Sequence, residues 1–272
     1  MRKRSSFLVL AVMALVLAGC GGEKIQSINQ ASDLAGKVVG AVSTAAPTKT
    51  MESLLTRYIG GIPKEVKFFN RASDLIAAVI AGKIDGAPCT TFVAEYYIKR
   101  NSKLKMIEFN QQMEVDVVMF LRSEDSLFRN DLDSAITILR DNGSLKQLED
   151  TWITNLPVTN EPSNMEMTKL EGARTVYVGV SGDYTPLDYM AADGRPAGFN
   201  VAFLSEIGKL LKINFELVSI ESQAKYSALL SKKIDLIFSQ TYNKDVSSLF
   251  VNKFARTQSY FTDKGWCFLV KK

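Results

Sequence analysis

Hydroxyl, thiol, carboxylate, amine and guanidinium side chains must carry whatever chemistry this chain performs, because its 272 residues include no histidine. That removes Ser-His-Asp and Cys-His nucleophilic catalysis and histidine metal centres together. Cys20, Cys89 and Cys267 are too few for a disulfide scaffold in a chain this long. The scattered carboxylates, Asp245 and Asp263 among them, show no spacing that pairs a general acid with a general base. No metal or cofactor is called for. What the polar residues can do is hold something. Ser43-Thr44-Ala45 sits between a strand signal and a helix signal, where the N–H groups of a helix N-terminus suit an anion. An ordinary helix N-cap is the other reading.

The formal charge of +4 includes Arg2, Lys3 and Arg4; setting them aside leaves 30 basic residues against 29 acidic ones, too balanced for a nucleic-acid-binding surface. Those three residues precede twelve apolar ones, Phe7 to Ala18. A bilayer span needs ~20, so the run has the length of a signal-peptide core. It ends Leu17-Ala18-Gly19-Cys20, which resembles the bacterial lipobox; a plain secretory signal with an incidental cysteine is the alternative. The expectation is a signal peptide over 1–19, lipidation at Cys20 and a tether over 20–32. The folded part then lies outside the cytoplasm, held to a bacterial membrane by acyl chains. Apolar residues make up 46% and charged residues 23%, an ordinary globular mix.

Positioning elements follow from Leu34 onward. Strand signals at Lys37–Val42, Val66–Phe69 and Ile84–Ala87 alternate with helical spacing over Thr48–Ile59, Ser73–Ala81 and Thr91–Arg100. Val115–Leu121 reads as a strand, and Ser126–Arg140 and Ser144–Trp152 as helices separated by Asn142-Gly143. Asn155–Lys169, with Pro157 and Pro162, has no periodicity and reads as a linker. Strands at Thr175–Val180, Ile213–Val218, Ile234–Phe238 and Gly265–Val270 then alternate with helices over Phe199–Leu211 and Ser222–Ser231, with a hairpin around Asp193-Gly194. This order predicts parallel sheets covered by helices. Ala77–Gly86 (AAVIAGKIDG) is echoed by Ser227–Leu236 (SALLSKKIDL). The echo fits either two similar α/β lobes or simply two βαβ units.

Laid out in this way, the chain resembles the family 3 extracellular solute-binding proteins, of the type II periplasmic-binding-protein fold, but with its halves exchanged. The family's opening features sit last: Val176–Val180, Asp183-Tyr184-Thr185-Pro186, Gly198-Phe199-Asn200 and Lys233-Ile234-Asp235. Its second-half features come first: Leu34-Ala35-Gly36-Lys37-Val38-Val39-Gly40, Asn142-Gly143-Ser144-Leu145 and Trp152. A circular permutation is the simplest account. The resemblance implies a two-lobed α/β fold with a central cleft. One lobe is expected over 33–116. The other is expected over 117–155 and 173–272, with 156–172 as linker and a single covalent crossover near Val115–Leu121. Cys89 and Cys267 then fall in different lobes, as two buried thiols.

The resemblance further implies capture rather than catalysis: a monomer that binds a small polar solute, an amino acid or relative, and delivers it to an ABC permease by cleft closure. Tyr184 matches the aromatic that covers the ligand, and Asp183 beside it can accept from a ligand amine. Ser239, Gln240, Thr241, Asn243 and Lys244 stand where the family binds the ligand's polar head; Ser43, Thr44 and Thr90 match positions on the other lobe. The departures are specific. No arginine stands near Lys244-Asp245-Val246, Thr90 replaces an aspartate, and Ser222 falls where a second aromatic is usual. Either Lys244 replaces the arginine as a less specific point charge, or the ligand is not a standard α-amino acid, or the cleft is degenerate. A sensor or scaffold lipoprotein, and a dehydratase-like enzyme using Asp183, are the alternatives.

Overall fold

The computed structural model describes residues 27–44, 46–111, 114–159, 162, 167, 169–242 and 254–272. The first part alternates as the sequence predicts: β1 (Val38–Val42), α1 (Thr48–Ile59), β2 (Glu65–Phe69), α2 (Ala72–Ala81), β3 (Gly86–Thr90), α3 (Thr91–Arg100) and β4 (Leu104–Glu108). Then come β5 (Val115–Arg122), α4 (Ser126–Asp141) and α5 (Ser144–Glu149), which runs into a π-helical turn at Asp150–Thr154. After the Pro-containing connection follow β6 (Thr175–Val180) and the short strands β7 (Asp183–Tyr184), β8 (Asp188–Met190) and β9 (Pro196–Ala197). The chain continues through α6 (Phe199–Leu211), β10 (Asn214–Ser219), α7 (Lys225–Leu230), β11 (Leu236–Tyr242), β12 (Phe254–Arg256), β13 (Phe261–Asp263) and β14 (Trp266–Lys271).

Two sheets organise these elements, and they are wired alike. The first has the order β2-β1-β3-β14-β4 and the second β10-β6-β11-β5-β12, with β13 also pairing β5. In each, the first three strands are parallel and the fourth runs antiparallel. The central strands are buried on both faces, which is why they read as continuous apolar runs. The fourth strand of each sheet comes from the other half of the chain: β5 enters the second sheet and β14 enters the first. The protein is therefore a two-lobed α/β structure in which each lobe contains a strand from its neighbour.

That exchange corrects two expectations. Residues 173–272 do not lie in one lobe, because β14 pairs with β3 and β4 of the first. The chain also passes between sheets twice, from β4 to β5 and from β13 to β14, rather than once near Val115–Leu121. β14 is almost wholly buried, and a buried strand needs hydrogen-bonded neighbours on both sides; the gap between β3 and β4 supplies them. Cys267 thereby sits directly opposite Cys89 in one sheet, Sγ to Sγ 4.0 Å, so these buried thiols share a lobe and cannot bridge two.

The internal echo has a structural meaning. Asp85 accepts the Val38 N–H at 2.8 Å, and its own N–H donates to the Val38 carbonyl at 2.8 Å. Asp235 does the same with Tyr177, at 3.1 and 2.8 Å. Both Ile-Asp motifs thus clamp the strand they lead into, β3 or β11, to its parallel neighbour, β1 or β6. In the second lobe Asp235 also meets the buried Arg122, which ion-pairs with Asp125 and donates to the Leu229 and Ile234 carbonyls.

Elsewhere, local sequence explains local form. Gly82 ends α2 in the left-handed conformation (φ +70°). Gly198 precedes α6 with φ +111°, and a Cβ there would lie 2.4 Å from the Leu187 carbonyl oxygen, so only glycine fits. Just beyond it, Phe199 and Phe203 stack with Tyr260 and Phe238 in the core of the second lobe. Burying an aromatic of that size stabilises by about 1.5–3 kcal/mol. The end of the predicted linker is anchored: Leu170 N–H donates to Asn214 Oδ1 at 2.7 Å, and Asn214 Nδ2 returns a bond to the Leu170 carbonyl at 2.8 Å. Among the described residues no helix is long and apolar enough to cross a membrane.

Candidate ligand-binding cleft

Two sheets facing each other leave a gap at the carboxyl ends of their parallel strands, and a cavity of about 230 Å³ lies there. The first lobe walls it with Ala41 and Val42 at the end of β1, Ala72, Leu75 and Ile76 of α2, Pro88 and Cys89 of β3, and Trp266 of β14. The second lobe supplies Ser181 after β6, Tyr184 of β7, Ser222, Lys225 and Tyr226 at the start of α7, and Thr241 of β11. Thr44 stands at the rim.

Tyr184 is the joint between the lobes. Its hydroxyl is 3.0 Å from the hydroxyl of the fully buried Thr90, and its ring meets Phe92 edge-on at 6.0 Å. Burial pushes its phenol well above the ordinary tyrosine range. Thr91, at the start of α3, donates its backbone N–H to Asp263 at 2.8 Å and its hydroxyl to the same carboxylate, so a residue from the second half caps a helix of the first.

Asp183 and Tyr184 are neighbours on a strand, and the two-residue period points them to opposite faces. Asp183 accepts from the Ser73 N–H at 3.3 Å and lies 3.6 Å from Arg71 Nε, both from the other lobe. It faces a separate, wider hollow of about 720 Å³, away from the Tyr184 cavity. The Asp183 carboxylate is therefore committed to an interlobe contact, not turned toward a ligand amine in the cleft.

The Ser43-Thr44-Ala45 turn also differs from expectation. The Ser43 N–H donates to the Phe69 carbonyl at 2.7 Å, extending the β1–β2 ladder, and the Ala46 N–H donates to Thr44 Oγ1 at 3.2 Å. The helix starts only at Thr48, behind Pro47. Those two N–H groups are used internally, which weakens the case for an anion site at this turn. Thr241 reaches the cavity; Ser239 and Gln240 precede it on β11, with the Gln240 backbone opposite Val118. Asn243, Lys244, Ala45 and Cys20 lie outside the described residues.

Sequence reasoning missed two charged residues. Lys225 is only 5% exposed, lines the cavity, and makes no ion pair or side-chain hydrogen bond among the described residues. Burial lowers its pKa, while Asp188 and Asp183 act electrostatically in the opposite direction. Asp188 is 2% exposed and accepts from the Gly182 N–H at 2.9 Å and Asn200 Nδ2 at 3.3 Å. Burial raises its pKa to about 6, with Lys225 and the two hydrogen bonds pulling it down. The available signal was periodicity: Lys225 lies three and four residues before the buried Ala228 and Leu229, on the apolar face of a helix. Ser222 lines the cavity at the position the resemblance assigned to an aromatic, and Trp266 of the other lobe provides an aromatic wall. Among the described residues no group of three or more potential ligands could hold a metal ion.

Comparison with known proteins falls in with this architecture. Residues 176–272 match the family model of bacterial extracellular solute-binding proteins, family 3, and residues 7–124 match a model described as NMT1/THI5 like. The L-cystine-binding protein TcyJ of Escherichia coli (strain K12) is 29% identical over 79 residues, 29% of this chain and 30% of that protein. A probable amino-acid ABC transporter-binding protein of Haemophilus influenzae is 29% identical over 73 residues, 27% of this chain and 28% of that protein. The matched stretch thus spans less than a third of these curated relatives. Among solved structures, a putative L-cystine ABC transporter from Listeria monocytogenes aligns over 88% of this chain and 83% of its own, at 13% identity and a TM-score of 0.41. An ancestral arginine-binding protein bound to arginine aligns over 88% and 86%, at 11% identity and a TM-score of 0.41. Residues 176–272, which carry the family's opening motifs, are thus similar to the family 3 extracellular solute-binding proteins.

Proposed function

We propose that this protein is an extracytoplasmic solute-binding protein, which takes a small polar solute into the cleft between its lobes and presents it to the permease of an ABC importer. The observation that carries this reading is the position of the cavity: both lobes wall it, at the carboxyl ends of their parallel strands, where open α/β sheets bind ligands. A solute touching both walls favours the closed arrangement over the open one by its differential contacts. The two strand crossovers serve as the hinge. The curated relatives, a cystine-binding protein and an amino-acid ABC transporter-binding protein, support the importer class.

The order of the two halves is read as a circular permutation, and Cys20 as the site of a lipid that holds a monomeric receptor at the membrane. Incorporation of a palmitate analogue, lost in Cys20→Ser, tests the anchor. A thermal-shift screen of amino acids, cystine and related solutes tests capture. A ligand at 100 times its Kd stabilises by ~2.7 kcal/mol, which is expected to raise Tm by several degrees. No shift with any solute would reject capture and leave a sensor or scaffold lipoprotein. Turnover of a prephenate-like compound would favour the dehydratase-like alternative.

A further inference from the structure

The two walls of the cleft are built from equivalent positions. The Ile-Asp echo aligns α2 with α7, so Ala72, Leu75 and Ile76 correspond to Ser222, Lys225 and Tyr226, and all six line the cavity. Where one lobe buries Leu75 at 2% exposure, the other buries the side chain of Lys225 at 5%. A lysine on a buried helix face without an ion-pair partner is costly unless something outside the fold compensates it. Asp188 and Asp183 act on it only at longer range. Asp188 is hydrogen-bonded to Gly182 and Asn200, and Asp183 accepts from the Ser73 N–H and ion-pairs with Arg71. No aspartate, glutamate or arginine lines the cavity among the described residues. The wall opposite Lys225 is apolar, closed by Trp266.

Resting on the solute-capture reading, we propose that the cleft is built for a small apolar monocarboxylate rather than for an α-amino acid. The carboxylate is paired by Lys225, with the Ser222 and Thr241 hydroxyls as further donors. The aliphatic or aromatic body packs against Val42, Leu75 and Trp266. A zwitterion fits this cavity less well: its ammonium would enter beside the Lys225 side chain, and no carboxylate lines the cavity among the described residues. At about 30 Å³ per water-sized group, 230 Å³ accommodates about eight such groups, the scale of a short branched or aromatic acid.

Three related probes test this on the whole chain, read by calorimetry and by tryptophan fluorescence. They are 4-methylpentanoate, its neutral amide 4-methylpentanamide, and leucine, which adds the ammonium. The acid is expected to bind at least tenfold tighter than either of the others. Lys225→Gln is expected to weaken the acid at least tenfold and the amide by much less; the wild-type comparison needs no variant should Lys225→Gln fold poorly. Leucine binding as tightly as the acid, or an acid affinity indifferent to Lys225→Gln, would overturn the carboxylate assignment while leaving solute capture standing. Silence toward all three probes overturns the assignment as well, and solute capture falls with it only if the wider solute panel is also silent.

Discussion

The two lobes share a strand order and a motif, yet they place charge differently. Among the described residues, every buried charged side chain belongs to the second sheet or the elements packed on it: Arg122, Asp183, Asp188, Lys225 and Asp263. The first lobe buries only the hydroxyls of Thr90 and Thr91 among polar side chains and otherwise presents aliphatic, aromatic and thiol groups. Features common to both lobes, such as Asp85 and Asp235 at the strand starts, hold the frame. Of the features found in one lobe alone, Lys225 lines the cleft and Arg122 braces the opposite end of the sheet. A pseudo-repeat thus separates architecture from recognition: what recurs is structural, and what breaks the repeat at the cavity is where binding is to be sought.

The largest effect is expected at Arg122. It has no counterpart on β14, and Arg122→Ala leaves Asp235 and Asp125 without their cation and removes a donor from the Leu229 and Ile234 carbonyls. A loss of about 3–5 kcal/mol is expected in urea unfolding. Asp85→Ala, which removes only the backbone clamp of the first lobe, is expected to cost about 1–3 kcal/mol. Equal losses for the two variants would break the contrast.

Next comes pH. The Asp188 carboxyl titrates near 6 in the folded protein against an ordinary 3.8, so folding favours its protonated form. Its stabilising contribution is complete below about pH 4 and lost as pH rises to 6, a decline on the order of 1–3 kcal/mol. Asp188→Asn is expected to remove that decline, so the variant should gain on the wild type between pH 4 and pH 7. A parallel pH profile would place the charge asymmetry elsewhere. The smallest effect is expected for Tyr184→Phe, which leaves the buried Thr90 hydroxyl without its partner at a cost of about 1 kcal/mol. A fall in Tm of a few degrees would register it; none would mean that the lobes do not depend on this bond.

Much of the frame was legible in the sequence, because helices and strands are local matters of periodicity and punctuation. The Ile-Asp echo pointed correctly to two alike lobes. The destination of β14 was not legible: Trp266–Lys271 reads as a strand, but nothing local says that its partners are β3 and β4, some 160 or more residues earlier. The same non-local pairing placed Cys89 beside Cys267. At the site, Thr44, Tyr184, Thr241 and Ser222 came from motif matching, and the structure brings them to one cavity. Asp183 meets Ser73 and Arg71 because strand alternation turns it away from the face of Tyr184, which residue type alone does not reveal. Lys225 was passed over because an exposed lysine and a buried one look the same until the neighbouring helix positions are read.

The reciprocal exchange of β5 and β14 has a consequence for how the molecule comes apart. Either half made alone would carry a sheet missing its penultimate strand, with raw edges on both sides of the vacancy. Neither lobe is a free-standing module, so heat should melt them in one cooperative step instead of two.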